Sequence, residues 1–165
     1  EVKPMTQLKF YLDTNMSERF FKNAIFSKRR KTKLEIPKIF GYLVSINAEL
    51  YVSSFSLAEV YEHMWKSYQA QPHEISEMTQ LFLQKFKIKL ILDFEISGKI
   101  LHYVRKRKLE AKDAVHLSIA KNNDIYLLSD DKDFIERARA FYDKLIAEKS
   151  LRTFFIRLHS LDNFS

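Results

Sequence analysis

Asp130, Asp131 and Asp133 crowd into residues 130 to 133, directly after the apolar run at 125 to 128 in "IYLLSDDKDF". Carboxylates this close repel one another, and burying them unpaired costs more still. The cluster therefore calls for a cation, a hydrogen-bonding helix end, or open water. Three further acids stand in comparable settings: Asp13 in "LKFYLDTN", Glu59 in "SSFSLAEVYEHM" and Asp113 in "AKDAVHL". A hard divalent cation, Mg²⁺ or Mn²⁺, takes oxygen ligands and commonly binds a few carboxylates while keeping several waters. Those waters supply a nucleophile, and the ion offsets charge developing on a phosphate during in-line attack. Acids of this type, delivered from separate segments, point to phosphodiester chemistry.

Each acid also has a purely structural account. Ser56 and Glu59 stand at the S-x-x-E spacing of a capping box, although Glu59 falls opposite the apolar stripe of its helix. Asp130 or Asp131 suits the cap of a following helix, and Asp133 and Asp113 suit first-turn positions favoured by the helix dipole. Asp13 is harder to dismiss, because Asp is a poor strand residue and this one closes an apolar run. Asn15 reads as a turn or cap residue, or as an amide that orients the Asp13 carboxylate. Capping accounts for one acid at a time; a shared cation accounts for all of them together.

The elements that must position these acids follow from hydrophobic period. Residues 8 to 13, 50 to 54, 88 to 92, 125 to 128 and 153 to 161 read as strands. Helices are expected over 17 to 26, from Pro37 to about residue 48, along the stripe Leu57, Val60, Tyr61, Met64, Trp65 and Tyr68, and from Pro72 to about residue 86. Others follow over 94 to 107, 110 to 122 and 133 to 149. Strands alternating with helices predict an α/β fold, a mainly parallel sheet covered on both faces. In such sheets ligands bind beyond the carboxyl ends of the strands, and that rim is where the acids fall.

With 165 residues, 46% of them hydrophobic, the chain suffices for one sizeable core, and a single domain over 1 to 165 is expected. Two glycines and three prolines leave little for a flexible linker. Met5 suits a natural start, with residues 1 to 4 as an extension. No apolar run is long enough to span a bilayer and no basic-then-apolar leader is seen, so a cytoplasmic protein is expected. The absence of cysteine fits that expectation and removes thiolate nucleophiles and thiolate zinc sites. The net charge is +7, and the basic runs carry Lys28, Arg29, Arg30, Lys31 and Lys33, then Arg105, Lys106 and Arg107. Such runs are either solvated faces or, beside an acidic rim, contacts for RNA.

Four segments, in order, carry a family resemblance: "FYLDTN", "LAE" at 57 to 59, "KDAVHLSIA" and "LLSDDKDF". They resemble the motifs of the PIN-domain family, and most of all its VapC-type toxin ribonucleases. The resemblance implies a three-layer αβα sandwich with about five strands in the order 3-2-1-4-5. It implies Mg²⁺- or Mn²⁺-dependent RNA hydrolysis, with Asp13, Glu59, Asp113 and Asp131 as metal-binding catalytic acids. Asp133 is then an additional acid acting through water, Ser129 and Asn15 are supporting residues, and Asp130 takes a variable position. Toxin members form homodimers and are silenced by a small antitoxin, so both partners are implied here.

This chain departs from the pattern after "DTN", where "MSERFF" and the basic "SKRRKTKLEIP" replace an apolar helix. It is also longer than a compact toxin requires, which leaves open a PIN nuclease of RNA processing with no antitoxin. A non-catalytic PIN-like binding module would require a lost acid, and all four are present. A receiver domain would require an acid pair at the first strand, and a metal-independent ribonuclease two poised histidines; neither pattern is seen.

Overall fold

The computed structural model describes residues 7–95, 98–107 and 109–162, the side chains at 99, 100, 103, 107, 161 and 162 aside. The proposed extension at 1 to 4, and Met5, lie outside them. Five short strands form one parallel sheet in the order β3-β2-β1-β4-β5. They are β1 (Lys9–Leu12), β2 (Glu49–Ser53), β3 (Lys89–Ile91), β4 (Tyr126–Ser129) and β5 (Leu145–Ala147). The central strand β1 pairs with β2 and β4, so Tyr11 stands in register between Tyr51 and Leu127. A strand buried on both faces reads as a continuous apolar run, and "FYL" is fully buried.

Alternation along β1 sends its side chains into two cores. Phe10 and Leu12 join the core built from α1 (Thr14–Arg30), α2 (Lys38–Ser45), α3 (Ser54–Tyr68) and α4 (Pro72–Lys85). Tyr11 enters the opposite core, with α6 (Ala111–Asn122) and α7 (Lys132–Ala138). Helix α5 (Gly98–Arg107) packs against α6. The larger core is aromatic: Phe82 lies 4.9 Å from Phe20, 5.4 Å from Phe21 and 5.7 Å from Phe40, centroid to centroid. These rings dock α1, which carries the first acid at its N-terminus.

The order and the three layers are those the sequence implies, but the C-terminal quarter differs. Residues 153 to 161, expected as a strand, belong to helix α8 (Leu151–Asp162), with Leu151 buried and Phe154 against Tyr126. The helix expected over 133 to 149 ends at Ala138, and β5 follows after a short turn. Period alone hid this strand: at three residues, "LIA" is too short to show alternation, and no Gly or Pro marks the turn before it. Helix α1 starts at Thr14 instead of Ser17 and extends through Arg30, so all of the basic "SKRR" is helical. The helix expected from Pro37 to about residue 48 stops at Ser45, and α5 starts at Gly98, after residue 94.

Candidate active site

Asp13 closes β1 and caps α1. Its Oδ1 accepts the Thr14 N–H at 2.8 Å, and its Oδ2 accepts the Ser129 hydroxyl at 2.7 Å. The Ser129 oxygen accepts the Asp131 N–H at 3.1 Å, and Asp131 in turn caps α7 by accepting the Phe134 N–H at 3.1 Å. One buried hydroxyl thus joins the ends of β1 and β4, each with its acid. Both acids are helix caps, and capping leaves further lone pairs on each carboxylate.

Glu59 faces the same rim from the second turn of α3. The helix is capped by Ser53, whose Oγ accepts the Ser56 N–H at 3.0 Å, so the Ser56–Glu59 capping box is not formed. Instead, Glu59 Oε1 accepts the Thr14 hydroxyl at 2.8 Å and lies 2.7 Å from His116 Nε2. Thr14 therefore links the acid of β1 to the acid of α3. Burial opposes ionisation of Glu59, yet hydrogen bonds to His116 and Thr14 hold its carboxyl below the usual range.

Asp113 stands in the first turn of α6, half-buried. Burial first, then repulsion from Asp13 and Glu110, push its carboxyl up to about 6 from its ordinary 3.8. The sequence reading missed a fifth acid, Glu18, also pushed up, by burial and then, after an opposing effect of His63, by Glu59 and Asp13. It lies one turn beyond Thr14, so starting the helix at Ser17 concealed that the two share a face.

A pH effect follows from Asp113. Its folded value is raised, so its contribution to stability is full below the unfolded value and is lost as pH rises through the folded one. Without added cation, the wild type is expected to lose stability between about pH 4 and about pH 6, whereas Asp113→Asn loses less there, keeping only the part that comes from Glu18. Above that window the variant is the more stable, by about 1 kcal/mol or less after solvent screening. Glu59 has the opposite sign, with its loss at pH below its ordinary range. Thermal melts of both proteins in EDTA across this window provide the measurement. Parallel curves would overturn the assignment.

The PIN domain family model matches residues 10–140. The chain belongs to the PIN domain family. No curated protein matches the sequence. Among solved structures, PAE2754 from Pyrobaculum aerophilum is similar at 13% identity and a TM-score of 0.52, covering 93% of this chain and 96% of that one. VapBC2 from Rickettsia felis, bound to a DNA fragment from their promoter, is similar at 16% identity and a TM-score of 0.53, covering 85% and 98%. A toxin-antitoxin complex from Klebsiella pneumoniae matches at 21% identity and a TM-score of 0.47, covering 84% and 96%. At these identities the likeness is one of fold. PIN domains are generally nucleases that use divalent metal ions.

In this PIN domain, Asp13, Glu59, Asp113 and Asp131 all come to the carboxyl end of the sheet. Among the described residues, no group of three His, Asp or Glu side chains is close enough to grip an ion as it stands. The donor set nonetheless fits a hard cation: Asp113 is raised partly by Asp13, a like-charge repulsion that a divalent ion would relieve. Asp130 is separately accounted for, because Arg19 binds it at 2.6 Å and holds Glu148 with two bonds at 2.7 and 2.8 Å. Asp133 is exposed in the first turn of α7, and Asn15 is exposed on α1.

The two basic runs lie at different ends of this PIN domain. Helix α1 has 17 residues, so at 1.5 Å per residue its far end is about 25 Å from Asp13. Lys28 pairs there with Glu77, and Arg29 forms a two-pronged pair with Glu74, holding that carboxyl down at about 2. Arg30 lies over the Phe26 ring, and Lys31 and Lys33 are exposed beyond. The structure therefore does not bring the first run to the acids. The second lies on the acid side: Arg105 and Lys106 are exposed near the end of α5, the helix that precedes α6 and its Asp113. The side chain of Arg107 lies outside the described residues. Lys112, unremarked in the sequence, acts electrostatically on both Asp113 and Glu59.

Proposed function

We propose that the chain is a divalent-metal-dependent endoribonuclease of the VapC kind. The observation that supports this most is the arrival of four acids, from four segments of a PIN domain, at one rim where Asp13 and Asp113 already repel each other. Asp13, Glu59, Asp113 and Asp131 would hold Mg²⁺ or Mn²⁺, which when bound supplies an activated water and offsets charge on the cleaved phosphodiester. Ser129 holds Asp13 and the Asp131 backbone in place, Thr14 and His116 hold Glu59, and Asp133 faces solvent as an additional acid. Asn15, exposed at the start of α1, would add a supporting amide. Arg105, Lys106 and Lys112 are better placed than residues 28 to 33 to meet an RNA backbone at the rim.

A cognate antitoxin and a homodimer belong to the same reading, the antitoxin supported by the fold likeness to VapBC2 from Rickettsia felis. A cytoplasmic location goes with it; among the described residues no helix is long and apolar enough to cross a membrane. The test is cleavage of labelled structured RNA and of single-stranded DNA in Mg²⁺, in Mn²⁺ and in EDTA. The wild type is compared with a Glu59→Gln, Asp113→Asn double variant. Cation-dependent cutting of RNA, absent in the folded double variant, is expected. Cutting that persists in EDTA would refute the reading.

A further inference from the structure

The ring of His116 is 2% exposed, and no step assigned to the rim acids requires a buried imidazole. It nevertheless lies at the centre of a polar chain through an otherwise apolar core. His116 Nδ1 is 2.6 Å from the Tyr11 hydroxyl, which is 2.8 Å from Ser53 Oγ; both Tyr11 and Ser53 are fully buried. At the other edge of the ring, Nε2 is 2.7 Å from Glu59 Oε1 and 3.1 Å from Thr14 Oγ1.

The hydrogens of this chain can be placed by elimination. An ionised Glu59 only accepts, so Nε2 carries a hydrogen and donates. Were Nδ1 also protonated, the Tyr11 oxygen would receive that hydrogen and Tyr11 would turn its own toward Ser53. The Ser53 hydroxyl would then lose its acceptor in the core, a cost that buried polar groups avoid. With Nδ1 bare, every hydrogen has a destination: Ser53 donates to Tyr11, Tyr11 to His116 and His116 to Glu59. Ser53 itself accepts the Ser56 N–H. The chain thus starts at the cap of α3 and returns to the same helix at Glu59.

We propose that His116, fixed by Tyr11 and Ser53, is a positioning residue for Glu59. It ties Oε1 down beside the Thr14 hydroxyl and leaves Oε2 free for a cation. This deepens the nuclease reading and rests on it for the identity of what Oε2 meets. The orientation is set from the sheet and not from the loop after it, because Tyr11 belongs to the central strand. Partners behind a ligand commonly change metal affinity by about 10- to 100-fold, and the same range is expected here.

Two measurements on the full chain test this. The first is nitrogen NMR of protein labelled in its imidazoles, in EDTA, with the His116 signal assigned by its loss in His116→Gln. A neutral ring protonated at Nε2 is expected; a ring protonated at Nδ1, alone or with Nε2, overturns the proposal. The second is direct titration with Mn²⁺, read by the loss of the free-ion resonance. His116→Asn, whose amide reaches only the Tyr11 side, is expected to weaken Mn²⁺ binding by about 10- to 100-fold. His116→Gln, whose amide nitrogen reaches the Nε2 position, is expected to recover most of that loss. Equal affinities in all three proteins, or equal losses in the two variants, overturn it. A wild type with the expected tautomer that takes up no Mn²⁺ refutes the nuclease reading alone and supports the ordering of Glu59.

Discussion

Asp13→Asn is expected to fold and to lose cation-dependent cleavage by roughly 10²- to 10³-fold or more, the scale of removing one charge-stabilising group from an active site. The substitution is nearly isosteric. The Asn carbonyl can still accept the Thr14 N–H, and its amide can donate to Ser129, which keeps the Asp131 N–H but loses the acceptor of its own buried hydroxyl hydrogen, at about 1 to 3 kcal/mol. Exchanging one capping side chain for another of similar strength changes helix stability by about 1 kcal/mol or less. The charge is what disappears, and with it the repulsion that raises Asp113 and one of the oxygens offered to a cation. Single-turnover cleavage at saturating Mn²⁺, paired with thermal melts in EDTA, separates the two effects. Cleavage within tenfold of wild type in folded protein would remove Asp13 from the chemistry.

Phe82→Ala is expected to cost about 3 to 5 kcal/mol, the usual range for emptying a buried phenyl site. Its ring is fully buried and touches Phe20 and Phe21 on α1, Phe40 on α2 and Phe86 just after its own helix. Rings on two other helices and one just past α4 cannot all move inward at once, so the space should collapse only in part. A loss of this size is a large share of the 5 to 15 kcal/mol that typically holds a domain together. Urea denaturation in EDTA measures it, and a loss under about 1 kcal/mol would show that the site refills. The effect reaches function because these rings seat the helix that Asp13 caps.

The acids and their order were legible because chemistry demands particular residue types, and strands β1, β2 and β4 were legible because buried parallel strands read as apolar runs. The fold was less legible where elements are short. "LIA" carries no period of its own, and "TFFIRLHSL" has the aromatic content of a strand while lying as a helix over the end of the sheet. What holds the acids was least legible. Tyr11 meets His116 across 105 positions and Ser53 across 42, and no local pattern announces contacts of that separation. The basic run at 28 to 33 misled for a related reason: charge is visible in sequence, whereas Glu74 and Glu77, which neutralise part of it, are brought near only by the packing of α4 on α1.

The hydroxyl that joins Asp13 to Asp131 comes from a residue 116 positions after Asp13. During synthesis the first acid leaves the ribosome on a strand whose neighbour β4 does not yet exist. Domains gain their long-range pairings only when the later segment arrives. Until β4 has been made and has slid in beside β1, the rim lacks both Ser129 and Asp131. A nascent chain therefore carries an incomplete site until β4 and Asp131 have emerged, and whatever reaction the finished rim performs is timed by topology to begin only after β4 has paired with β1.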